Sequence, residues 1–149
     1  MSNLLNLYLN NFHTKNEAKF IPFAGYSMPI NYSEGIINEH KQVREHVGVF
    51  DVSHMGQVAI RANENNIKNL EKYIPLQLKN LKKNKSYYSF FLNDNGCVID
   101  DMIISLLNLN NKSYFYIVYN ASRKKNNEII FKENLFDYKI INNNYLLAI

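Results

Sequence analysis

The 149-residue chain has no tryptophan, one cysteine, three prolines and five glycines. A single Cys97 excludes an internal disulfide and suits a reducing compartment. No apolar run approaches the ~18 residues that a membrane span needs, so no membrane partner is expected. The segment Met1 to Phe12 carries no basic residue, which leaves neither a secretory signal nor an Arg-rich transit peptide visible and points to the cytoplasm. No set of His, Cys, Asp and Glu has the spacing of a metal site, so no metal is expected. The chain also lacks internal repeats, linkers and a long block of one charge. What is present is 46% hydrophobic residues, 13% aromatics and 11 tyrosines, enough for one domain with a real core or for a piece of something larger. The net charge of +4 and pI near 9.0 permit an anionic partner: a nucleic acid, a polyglutamylated cofactor or an acidic protein. A nucleic-acid module would need a recognisable motif or a clustered basic face, and neither is found.

The most unusual stretch is Asn93-Asp94-Asn95-Gly96-Cys97-Val98-Ile99-Asp100-Asp101-Met102-Ile103-Ile104, a turn followed by an apolar run that holds two adjacent carboxylates. It follows Tyr87-Tyr88-Ser89-Phe90-Phe91-Leu92, which makes a β-hairpin the natural reading, with both aspartates on the return strand. Alternation then sends the two carboxylates to opposite faces, so they cannot act on one atom as a simple pair. Asp101 would share its face with Cys97, Ile99 and Ile103, and Asp100 with Val98, Met102 and Ile104. A carboxylate in such surroundings costs several kcal/mol unless it is hydrogen-bonded or paired, so each demands a partner in the fold or a cationic ligand.

Along the rest of the chain, Leu4, Leu5, Leu7, Tyr8 and Phe12 suggest a short helix ending before Thr14. Lys19 to Ile30 reads as two extended pieces broken at Gly25, with Pro22 and Pro29 keeping both at a sheet edge. Ser33 is placed to cap a helix from Glu34 to about Val47 with Ile36, Ile37, His40, Val43 and Val47 inward, and Gly48 stands where a terminating glycine belongs. Val49 to Ile60 is a strand interrupted by polar residues and resumed after Gly56. Asp51, Ser53 and His54 lie too close together for a triad assembled from distant segments, and turn chemistry is the simpler reading. Asn63 caps a second helix through Ile74. The basic loop Leu76 to Lys85 leads into the hairpin and is placed to steer an anion toward Asp101. Tyr114 to Tyr119 is a strand; Asn120 is a natural cap for a helix from Ala121 to Leu135. Tyr138 to Ile141 and Tyr145 to Ile149 are two further strands around Asn142-Asn143-Asn144, and the chain stops inside an apolar strand, which suggests an incomplete domain. The expected class is α+β, a mainly antiparallel sheet with flanking helices.

Five segments together resemble one family: Phe23-Ala24-Gly25-Tyr26-Ser27-Met28-Pro29, Val49-Phe50-Asp51-Val52-Ser53-His54-Met55-Gly56, Tyr88-Ser89, Gly96-Cys97-Val98-Ile99-Asp100-Asp101 and Val118-Tyr119-Asn120-Ala121. In order and spacing they are similar to the amino-terminal part of aminomethyltransferase, the T-protein of the glycine cleavage system. The resemblance implies that residues 1–149 form the amino-terminal portion of a folate-binding domain whose carboxy-terminal companions are absent from the chain. It implies tetrahydrofolate as cofactor and the lipoylated H-protein as partner, with release of ammonia from the aminomethyl-lipoyl arm and formation of methylenetetrahydrofolate. Carried over residue by residue, it makes Asp101 the catalytic carboxylate and places Met55, Tyr88, Asp101, Ile103 and Asn120 around the folate. Gly25-Tyr26 stands where the family has Gly-Trp, and Cys97 where it has a second glycine. A folate-dependent demethylase and a non-catalytic folate-binding or scaffold fragment are the alternatives; the Asp-Val-Ser-His-Met-Gly segment favours the transferase over the demethylase.

Overall fold

A computed structural model describes residues 4–135, 137–142 and 144–149. Its strands and helices are, in order, β1 (Leu5–Asn6), α1 (Asn10–Lys15), β2 (Lys19–Phe23), β3 (Tyr26–Asn31), α2 (Gly35–Glu45), β4 (Phe50–Asp51), β5 (Gly56–Arg61), α3 (Glu64–Leu70), β6 (Ser86–Leu92), β7 (Val98–Leu109), β8 (Lys112–Tyr119), α4 (Lys124–Asn134), β9 (Tyr138–Ile140) and β10 (Leu147–Ala148). Short 3₁₀ turns occupy Leu78–Asn80 and Ala121–Arg123. The chain divides into two compact units, one of residues up to His54 together with the last residues from 144, the other from Met55 to Asn142. The α+β class with mainly antiparallel pairing holds.

The larger unit is a five-stranded antiparallel sheet in the order β6-β7-β8-β5-β9. Its sequence alternates as a half-buried sheet must: Phe115, Ile117 and Tyr119 of β8 point inward, while Tyr114, Tyr116 and Val118 lie between them on the other face. Val58, Ile60, Phe91, Met102 and Ile104 complete the inner face, and α3 and α4 cover it with Leu70 and Phe131. The Phe131 ring packs edge-on against Phe91 and Tyr119, with centroids 5.7 and 5.5 Å apart, a geometry that adds to the ~2–3 kcal/mol of burying the ring itself. Gly56 is required by this packing: a Cβ there would stand 2.1 Å from the Tyr119 ring. The Asn63 cap is as expected, its side chain accepting the Asn66 N–H at 2.9 Å, but α3 ends at Leu70 and Ile74 is buried from the following turn. The hairpin turn is built by Asn93, whose side-chain oxygen takes the N–H groups of Asn95 and Cys97, with Gly96 at φ 75°.

The smaller unit holds the three-stranded sheet β1-β3-β2 and the antiparallel pair β10-β4. Several expectations change here. Leu5–Asn6 pairs in parallel with β3 instead of forming helix, and α1 runs through Thr14 to Lys15. Pro29 lies in the central strand of its sheet, tolerated because β1 reaches only Tyr26 and Ser27, so no ladder bond is missed. In α2 Ser33 provides no cap and none of its residues is buried: Ile36, Ile37 and Val43 are exposed, as is Val47 just beyond its end. Gly48 serves close approach to Val43 and Phe50, not a left-handed turn. The final strand pairs with Phe50–Asp51, while β9 joins β5, so the last two strands belong to different sheets; Asn143 between them lies outside the described residues.

Candidate functional site

A bulge prepares the site. On β7 Val98 pairs with Leu92 and Asp100 with Phe91, leaving Ile99 as an extra residue. The slip turns Val98 to solvent and packs Ile99 against the core, reversing the facial assignment expected for both. Beyond it alternation is regular. Asp100 enters the inner face and is 6% exposed, whereas Asp101 stays half-buried on the outer face with exposed Ile103.

Buried Asp100 finds the donors that its burial demands. Asn127 Nδ2 of α4 donates to Oδ2 at 2.6 Å, Asn120 Nδ2 to Oδ1 at 2.8 Å, and the backbone N–H groups of Asn120 and Asp101 donate at 3.2 and 3.1 Å. Asp101 accepts from Asn120 Nδ2 at 2.7 Å through Oδ1 and from the Tyr88 hydroxyl at 3.0 Å through Oδ2. One amide therefore meets both carboxylates, although they leave the strand on opposite faces. The expected opposite faces hold, but the expectation that the two carboxylates cannot act on one atom as a simple pair is corrected, since Asn120 Nδ2 reaches both. Asn120 extends one residue past the end of β8, so its amide sits at the sheet margin, within reach of both faces. Its side chain makes no capping bond to the 3₁₀ turn that follows. The hydrogen bond to Asp101, then burial and the carboxylate charge, raise the pKa of Tyr88 above its ordinary value.

The other expected residues lie beside this group. Tyr88 pairs directly with Ile103, and Ile103 with Val118, so all three share the outer face with Asp101. Gly56 pairs with Tyr119; continuing that register by one residue sets Met55, half-buried, level with Asn120. Three adjacent strands thus bring Asn120, Asp101, Ile103 and Tyr88 to one end of one face, with Met55 one residue before the neighbouring fourth strand. The lysine loop lies elsewhere: it enters β6 at Ser86, opposite Ser105, about 13 Å along β7 from Asp101 by the rise of ~3.3 Å per residue.

Residues 9–146 match the family model described as the GCVT N-terminal domain. The chain belongs to this family. It is 42% identical over 93% of its length to a probable mitochondrial aminomethyltransferase of Schizosaccharomyces pombe, covering 35% of that protein. It is 36% identical over 97% of its length to an aminomethyltransferase of Thermoanaerobacter pseudethanolicus, covering 38% of it. The crystal structure of the glycine cleavage system aminomethyltransferase T from Bartonella henselae superposes with a TM-score of 0.81 at 33% identity, over 93% of this chain and 38% of that one. The chain thus spans about a third of the length of these relatives.

Within this GCVT N-terminal domain chain the smaller unit holds a second polar cluster. His13, 4% exposed, meets the Tyr32 hydroxyl at 2.7 Å through Nδ1 and Asp51 Oδ2 at 3.0 Å through Nε2. Asp51 also accepts the Ser53 N–H at 3.0 Å, the turn chemistry expected of it. Burial pushes the Asp51 carboxyl up, but hydrogen bonds from Ser53 and His13 outweigh it and hold the pKa below its ordinary value. The cluster borders a cavity of about 660 Å³ with Met28, Val43 and Phe50 among its walls. The histidine facing Asp51 is His13, not the nearby His54, and only the folded chain brings it there. Sequence reasoning also missed Asn127, an amide in a helical run of an asparagine-rich chain, where no spacing marks it. Among the described residues no group of three His, Cys, Asp or Glu could hold a metal, and no helix is long and apolar enough to cross a membrane.

Proposed function

We propose that the chain is the amino-terminal portion of an aminomethyltransferase of the glycine cleavage system, acting with tetrahydrofolate on the aminomethyl-lipoyl arm of the H-protein. The observation that carries this reading is Asp101 in a chain of this family: a half-buried carboxylate held by Tyr88 and Asn120, beside apolar and aromatic side chains left open on the same face. Such a face suits a flat ring that stacks on Tyr88 and Ile103 and presents N–H donors to a carboxylate. Met55, Tyr88, Ile103 and Asn120 would hold the folate, and Asp101 would bond its ring nitrogens. Tetrahydrofolate supplies the nitrogens that take the one-carbon unit. Asp101 would orient them, take up or return a proton as the carbon–sulfur bond breaks, carbon–nitrogen bonds to the cofactor form and the substrate's amino group leaves as ammonia, and stabilise positive charge at the carbon in transfer. The reading includes the cytoplasmic location that the sequence suggests; a tagged chain resolves it from the mitochondrial location named for the S. pombe relative.

The test is calorimetric titration of the chain with tetrahydrofolate, with an H-protein transfer assay on the same sample and Asp101→Asn in parallel. Proton-transfer roles of this kind are worth about 10²–10⁴-fold, so Asp101→Asn should lose at least ~100-fold in transfer while folate binding changes only a few-fold. Binding without transfer in the unsubstituted chain would favour the non-catalytic folate-binding module. Absence of both would overturn the proposal.

A further inference from the structure

We infer that Asn127 and Asp100 are positioning residues that lock the Asn120 amide, so that Asn120 steadies Asp101 with its N–H₂ and turns only a hydrogen-bond acceptor toward a ligand.

An ionised carboxylate accepts and never donates, and a primary amide has two N–H donors on one side and an acceptor oxygen on the other. Asn120 Nδ2 stands 2.8 Å from Asp100 Oδ1 and 2.7 Å from Asp101 Oδ1. Two short contacts to two carboxylate oxygens consume both hydrogens. The opposite orientation would set the amide oxygen against both carboxylates, so the network itself decides which end of the amide points where. The remaining group, Oδ1, is an acceptor. A ligand atom meeting Asn120 must therefore donate, which selects N–H edges of a heterocycle over carbonyl edges. Facing a carboxylate at Asp101 and an amide oxygen at Asn120, such a ligand meets two acceptors side by side.

The lock depends on Asp100 holding still. Its Oδ2 accepts from Asn127 Nδ2 at 2.6 Å, from a side chain that is completely buried in α4, a rigid element packed on the core through Phe131. Asn127 thus reaches Asp101 through two intermediates, Asp100 and Asn120. Charge-assisted bonds of this length, shielded from water, are the stronger kind, and losing one releases the carboxylate to move. The inference deepens the folate reading only in its kinetic consequence; the amide geometry stands without it.

The test uses the whole chain labelled with ¹⁵N, without ligand. In the unsubstituted protein both Asn120 side-chain hydrogens should exchange with solvent at least 10-fold more slowly than those of exposed Asn110. Exchange at equal rates overturns the inference without any variant. In Asn127→Leu, which keeps the volume and removes the donor, the Asn120 amide should lose that protection while the unfolding transition stays cooperative. Protection at Asn120 that survives the substitution, with only the melting temperature lowered, would make Asn127 a structural anchor and overturn its positioning role. Transfer kinetics on the same variant should show kcat reduced about 10-fold or more with KM changed little, and rescue by Asn127→His, which restores a ring N–H donor. If the unsubstituted chain neither binds tetrahydrofolate nor transfers, the folate reading fails while the amide result remains to be judged on its own.

Discussion

The two units of this chain are held together differently. In the larger, thirteen buried apolar side chains form one cluster beneath a five-stranded sheet. In the smaller, Leu7 is the one buried apolar residue among those described, and the interior is instead polar: His13, Asn31 and His54, with the Asp51 side chain almost fully covered. Hydrophobic burial is non-directional and indifferent to pH, whereas hydrogen-bonded charges depend on geometry and protonation. The units should therefore fail under different insults. Their difference also bears on the site: Asp101 and its partners stand on the unit with the dense core, where side chains are held to the tolerance a positioned carboxylate needs.

The largest effect expected from this comparison lies in the dense core. Phe131→Ala removes a fully buried ring that touches Phe91 and Tyr119, and should cost about 3–5 kcal/mol, read as the loss of urea-unfolding free energy. A cost below ~1 kcal/mol would mean that α4 is not packed as described. It would also loosen Asn127, which shares that helix.

A smaller effect is expected at the polar cluster, and it carries a pH signature. The folded pKa of Asp51 is depressed relative to the unfolded chain, where an aspartate titrates near ~3.9. The unfolded state therefore binds the proton more readily, and the stabilisation is fully present above about pH 4 and lost as pH falls through the lower folded value. His13→Leu, which leaves Asp51 without one of its donors, should cost about 1–3 kcal/mol at neutral pH and flatten this acid limb. Hydrogen exchange between pH 6 and pH 3 checks it: amides of α1 and β3 should lose protection in acid before those of β7 and β8. The reverse order would break the comparison.

Much of this was legible in the sequence because it rests on local chemistry. The hairpin follows from Asn93 to Gly96, the α3 cap from Asn63, and the strands of the larger unit from alternation with aromatic and β-branched residues. The family motifs singled out Met55, Tyr88, Asp101, Ile103 and Asn120; hydrogen bonds and sheet register bring Tyr88, Asp101, Ile103 and Asn120 together, and Met55 directly precedes the adjacent strand. What stayed hidden depends on distance along the chain or on a break in period. A one-residue bulge at Ile99 inverted the faces of Val98 and Ile99, and no alternation rule anticipates where a bulge falls. His13 meets Asp51 across 38 positions, and Asn127 meets Asp100 across 27. Neither carries any mark except its residue type.

Helix α2 shows the same limit from the other side, and there the smallest effect is expected. Its apolar residues recur at helical spacing, which reads as an inward stripe. Ile37 is nevertheless 73% exposed. Periodicity reports that one face is apolar, not that anything covers it. An exposed side chain has nearly the same surroundings folded and unfolded, so its replacement removes little burial; Ile37→Ser should change stability by less than ~0.5 kcal/mol, mostly through helix propensity. The contrast with Phe131→Ala is then about tenfold in free energy for two apolar residues that both stand on helices. A loss above ~1 kcal/mol in urea unfolding would show that Ile37 is covered in solution, and the polar account of the smaller unit would give way to an apolar one.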